Sequence, residues 1–163
     1  MLHSEFSEDD AIFMRQALEL AAYASSLNEV PVGAVLVRDN TIIGEGWNAP
    51  ISNHDASHHA EIAAIRDACN AIQNYRLPGT TLYVTLEPCT MCFGAIIHAR
   101  IERVIFAAKE PRAGVLESQL RLPEATFYNH QLTVVGGLHA DESATLLQQF
   151  FQARRSASPQ KSE

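Results

Sequence analysis

Apolar residues recur along this chain in two rhythms. Ile12, Phe13, Ala17, Leu20, Ala21 and Ala24 return at helical spacing, and Ser7 stands where it can cap that helix while Asp10 reciprocates from the third helical position. The first predicted element is an amphipathic helix. Residues 31–37 and 41–47 are β-prone apolar runs separated by Asp39 and Asn40, a pair suited to a two-residue hairpin turn. Residues 48–57 read as a loop. Helical spacing then resumes from about His59 to Ile72, where Ala60, Ile62, Ala63, Ile65 and Ala68 include strong helix formers and no breaker.

Arg76, Leu77, Pro78 and Gly79 end that region, and residues 81–86 are dense in strand formers. Pro88 pre-sets the backbone for a helix over 89–99, and a strand follows over 104–108. Two strand–helix–strand units in succession predict an α/β sheet covered on both faces. Residues 109–130 have weak periodicity, two prolines and a glycine, so they read as a long irregular segment with room for one helical turn, of the kind that forms functional rims. A strand over 132–135, a break at Gly136 and Gly137, and a last helix from Ala140 or Asp141 through Phe151 complete the pattern. The expected division is one domain over 1–155 and a disordered tail over 156–163.

With 163 residues, 47% of them hydrophobic, the chain can bury a core without disulfide staples. Its three cysteines, its polar and acidic N-terminus, and the lack of any run approaching about eighteen apolar residues predict a soluble cytoplasmic protein without a membrane partner. In a reducing compartment a close cysteine pair favours metal over disulfide. The net charge of -7 argues against a generic polyanion binder. That charge is uneven: four basic residues face twelve acidic ones before Arg100, and eight face seven from Arg100 onward. A nucleic acid would therefore meet Arg100, Arg103, Lys109, Arg112, Arg121, Arg154 and Arg155, unless these only solubilise a surface.

The chemistry concentrates in His59-Ala60-Glu61 and in Pro88-Cys89-Thr90-Met91-Cys92. Alone, the two cysteines fit a structural zinc site or a redox pair as well as a catalytic metal. A structural site needs a fourth donor, and Cys69 lies about 15 Å along the helix from His59, so it reads as a small core residue. His59 supplies a third ligand, chosen over His58 by its His-x-Glu spacing. Three protein ligands leave one position for water, the signature of catalytic zinc. Glu61 is close to the metal yet not needed to hold it, which suits a proton carrier. His54 reads as a loop histidine, and His98 as one held by packing or a backbone hydrogen bond.

The run over 30–37, then Gly44-Glu45-Gly46-Trp47-Asn48, HAEIAAIR, NYRLPGTTLYVTLEPCTMC and GAIIHARI resemble the bacterial tRNA-specific adenosine deaminases, a branch of the cytidine deaminase-like superfamily. Similarity continues through NHQLTVVGGLHADES to FFQARR. The resemblance implies a three-layer fold, a five-stranded mixed sheet with helices on both faces, and a homodimer with each active site completed near the interface. It implies conversion of adenosine to inosine at the wobble position of a tRNA anticodon stem-loop, with the base flipped from its stack. One Zn2+ per subunit would be held by His59, Cys89 and Cys92, with Glu61 as proton shuttle. Asn48 would read the base, with Val32 and Ala60 beside it, although Asn48 also suits a turn and Val32 also suits sheet packing.

Glu110, Arg112, Phe151, Arg154 and Arg155 are the candidate RNA contacts. Phe150 and Phe151 cannot both face RNA, since adjacent helical positions point different ways. The chain departs from the family where a lysine-bearing, Gly/Ala-rich loop is expected, placing Glu110, Arg112 and Glu117 there instead. Two other readings stand beside the first. One is a deaminase of a free base or nucleoside (guanine, cytosine or adenosine). The other is a zinc-stabilised RNA-binding module without catalysis, against which the acidic Glu61 counts.

Overall fold

The computed structural model describes residues 5–157. Helix α1 (Glu8–Ser26) opens with the expected reciprocal cap: Asp10 N–H donates to Ser7 Oγ at 3.0 Å, and Ser7 N–H donates to the Asp10 carboxylate at 2.9 Å. Strands β1 (Gly33–Arg38) and β2 (Thr41–Trp47) form the hairpin, and Asp39 and Asn40 take φ of 50° and 59°, the left-handed pair such a turn demands. Helix α2 (Ala60–Ile72), strand β3 (Thr81–Leu86), helix α3 (Thr90–His98) and strand β4 (Arg103–Ala108) follow. After one 3-10 turn over Leu122–Glu124, strand β5 (Thr133–Gly136) and helix α4 (Ala140–Ala157) end the described chain.

The five strands lie in the order β2-β1-β3-β4-β5. β1 runs antiparallel to β2 and β3, whereas β3, β4 and β5 are mutually parallel. Helix α3 joins the neighbours β3 and β4, while α2 carries the chain from β2 past β1 to β3. Alternation along the strands feeds two cores. Leu82, Val84, Val104 and Phe106 pack with Ala64 and Ala68 of α2 and Phe93 and Ile96 of α3. Tyr83 and Ile105 pack on the other face with Phe13, Met14 and Ala17 of α1, and Leu146 of α4 is partly buried there. The expected three-layer α/β fold is thus present.

Glycine sets how closely α2 approaches β2. A Cβ at Gly46 would overlap the carbonyl oxygen of Ala60, and one at Gly44 would overlap backbone atoms of Ala64 and Ala68. Asp67 of α2 fastens the same contact by accepting the Glu45 N–H at 2.9 Å. The start of α2 is thereby fixed against the sheet.

Two expectations change. Ser156 and Ala157, assigned by sequence to the tail, are helical: nothing from Arg154 to Ala157 breaks a helix, and cations favour its C-terminal end. Residues 158–163 lie outside the described residues. The segment over 109–130 is irregular with one 3-10 turn, as expected; Gly114, Val115 and Leu116 are buried in it and the latter two join the core, because loop amides find partners beneath them. Arg103, counted among residues facing nucleic acid, instead chelates the buried Asp10 carboxylate with two contacts of 2.9 Å, and Tyr83 OH donates to the same carboxylate at 2.7 Å. Among the described residues, no helix is long and apolar enough to cross a membrane.

Candidate active site

Two helix starts converge at His59, Cys89 and Cys92, a group that could hold a metal ion. The chain leaves β3 through Glu87 and Pro88, reaches Cys89 as the extended N-cap of α3, and places Cys92 in that helix's first turn, fully buried. His59 is the extended N-cap of α2. The positive ends of both helices favour anionic sulfur. His59 Nδ1 lies 3.6 Å from Cys89 Sγ and 3.5 Å from Cys92 Sγ, and the three ligand atoms all fall within 4.8 Å of one another. A tetrahedral zinc with bonds of about 2.0–2.1 Å to nitrogen and about 2.3 Å to sulfur requires nitrogen–sulfur separations of about 3.6 Å. The residues fit the ion.

Among the described residues these three form the only such ligand group. Cys69 lies toward the far end of α2, partly buried against the core, with its thiol 3.6 Å from the Tyr75 carbonyl oxygen. His58 sits 4.0 Å from Asp55, outside the ligand group. His54 is exposed in a left-handed loop position. His98, expected to be held by packing or a backbone bond, is exposed at the end of α3.

The three ligand side chains shift one another's proton affinity. The hydrogen bond from Cys92 brings the Cys89 thiol down to about 4 against the effect of burial, and His59 adds to the same shift. That same bond, together with burial, holds the Cys92 proton in place and pushes its pKa up. His59 is raised, first by its bond to Cys89 and then by Glu61. A divalent cation would displace these protons.

Glu61 occupies the first turn of α2, 3% exposed. Burial raises its pKa, opposed by its own backbone N–H and by a hydrogen bond with Cys92. Glu61 thus lies two residues past His59, at the start of the same helix. Asn48, just after β2, is buried and donates its backbone N–H to Val32 O at 3.0 Å, joining two of the expected substrate contacts. Ala60, the third, is fully buried at the start of α2.

Two carboxylates that sequence reasoning missed anchor the flanking loops. Glu29, 1% exposed, accepts the N–H groups of Ile51 and Ser52 and the Ser52 hydroxyl, fixing the loop after Asn48. Glu87 does the same for residues 110–118. Neither carries a local signal, because the partners are loop amides remote in sequence.

The candidate RNA contacts divide. A groove of about 660 Å³ between α4 and the segment after β4 is lined by Lys109, Glu110, Arg112, Phe151 and Arg155. Arg154 turns to another face, its guanidinium 5.3 Å from the Phe150 ring centre. Phe150 is buried and Phe151 is 41% exposed, as adjacent helical positions require. Glu117, which departs from the family loop, lies 3.7 Å from Lys109 Nζ.

Residues 7–108 match the model of the cytidine and deoxycytidylate deaminase zinc-binding region, a span containing all three ligands. The tRNA-specific adenosine deaminase of Haemophilus influenzae is 52% identical over 150 residues, 91% of this chain and 87% of that one. The chain belongs to the tRNA-specific adenosine deaminase family. A structure solved in work on A-to-I editing by tRNA:A34 deaminases superposes with a TM-score of 0.81 at 46% identity, over 83% of this chain and 99% of that one. A guanine deaminase of Bacillus subtilis also superposes, with a TM-score of 0.60 at 30% identity over 96% and 99% of the two chains. The tRNA-specific adenosine deaminases are thus nearer in both sequence and shape, and zinc is the cofactor this family's site is built to hold.

Proposed function

We propose that this protein is a zinc-dependent hydrolase that converts adenosine to inosine at the wobble position of tRNA anticodons. The observation that carries this reading is Glu61, a carboxyl buried in the first turn of α2, two residues after His59 and outside the ligand group. A purely structural zinc site has no use for it. Zinc held by His59, Cys89 and Cys92 would lower the pKa of a water and polarise it for attack. Glu61 takes a proton from the attacking water and delivers it to the ring nitrogen beside carbon 6 of adenine. A second transfer protonates the departing amine, so adenosine and water give inosine and ammonia. Burial, which raises Glu61, brings its proton affinity closer to that of the groups it serves.

Asn48 reads the base with its side-chain amide, while Val32 and Ala60 shape the pocket beside it. Glu110, Arg112, Phe151 and Arg155 line the path of the flanking RNA, where aromatic stacking and phosphate contacts act together. Arg154 contributes from the neighbouring face. The resemblance also supports a cytoplasmic homodimer whose interface lies near each active site.

A substrate panel tests the reading. Zinc-loaded protein is expected to form inosine in an anticodon stem-loop with adenosine at the wobble position, and to leave free guanine, cytosine and adenosine unchanged. Rapid ammonia release from a free base, with no inosine in the stem-loop, would move the assignment to a free-base deaminase.

A further inference from the structure

Glu87 stands immediately before Pro88 and Cys89, and the residue is 3% exposed. One oxygen accepts the N–H groups of Leu116, Glu117 and Ser118 at 3.0, 2.9 and 3.0 Å. The other accepts the Glu110 N–H at 3.1 Å and the Ser118 hydroxyl. All five donors come from one segment that is neither helix nor strand, so these amides depend on the carboxylate for acceptors. Gly114 closes over it: a Cβ there would overlap the Glu87 carboxyl carbon. The same segment is tied to the metal-bearing turn by the Val115 N–H, which donates to Pro88 O at 3.1 Å. Its outer residues, Glu110 and Arg112, line the groove opposite Phe151 and Arg155.

We propose that Glu87 is a positioning residue that holds residues 110–118 as a fixed wall of the RNA groove beside the metal turn, and so governs substrate capture. This rests on reading the groove as the RNA path. Only a carboxylate answers the geometry, since it is acceptor at both oxygens, whereas a glutamine would turn an amide donor toward the loop N–H groups.

Zinc-loaded full-length protein carrying Glu87→Gln is compared with the parent by amide hydrogen exchange, zinc content and stem-loop kinetics. Exchange across 110–118 is expected to accelerate at least about tenfold while β4 keeps its protection. KM for the stem-loop is expected to rise about tenfold, with kcat within about threefold and zinc still near one per chain. Ser118→Ala removes only one donor, and should shift KM in the same direction by about threefold; it decides the matter if Glu87→Gln does not fold. A general structural role would lower stability and active fraction without moving KM. Unchanged loop exchange, or a fall in kcat or zinc at constant KM, overturns the proposal. If the parent itself forms no inosine in the stem-loop, the tRNA reading fails separately, and loop exchange still decides whether Glu87 holds the wall.

Discussion

Four acidic residues of this protein, Asp10, Glu29, Glu61 and Glu87, are each no more than 3% exposed. A buried carboxylate is costly unless donors or cations surround it. For Asp10, Glu29 and Glu87 burial pushes the pKa up but is outweighed by donors: Arg103, Tyr83 and Ser7 for the first, serine hydroxyls and loop amides for the others. Glu61 moves the opposite way, because burial outweighs the groups that would lower it. Asp10 gives a pH signature. Its pKa falls from 3.8 to about 2 on folding, so the unfolded chain binds more protons between those values. The stabilisation is complete above the unfolded value and is lost as pH falls through the folded one. Asp10→Asn should lower stability by about 2 kcal/mol at pH 7, and urea unfolding should show the gap narrowing as pH drops from 4 toward 2. A gap independent of pH would contradict this.

At the level of elements, residues that act locally were legible. Ser7 and Asp10 mark the start of α1, Asp39 and Asn40 mark the hairpin, and the His-x-Glu spacing places one candidate ligand at a helix cap and the carboxyl in the first turn. Burial of Val115 and Leu116 was not legible, because it depends on Glu87 about thirty residues away and not on any periodicity. Nor was the loss of Arg103 to Asp10, 93 residues distant. Helix α4 shows the same limit, since Arg154 and Arg155 read as one basic pair but face different surroundings. Arg155→Glu should weaken stem-loop binding about tenfold at low salt and lower the salt slope by about one, and Arg154→Glu should do less. Equal losses, or a larger one for Arg154→Glu, would count against the groove as the RNA path.

Across the whole molecule, the metal turn and the groove share the C-terminal ends of β3 and β4, the side where open α/β sheets receive ligands. The net charge of -7 is unevenly placed: Lys109, Arg112 and Arg155 line the groove with Glu110 as its one acidic residue, while Arg103 is paired with Asp10. The central claim is that ion binding and proton transfer belong to different residues. Measuring zinc content and inosine formation together in Glu61→Gln tests it most directly. The account predicts zinc near one per chain with kcat on the stem-loop reduced by about 10² to 10⁴. Turnover within a few-fold of the parent, or zinc lost in step with activity, would contradict it.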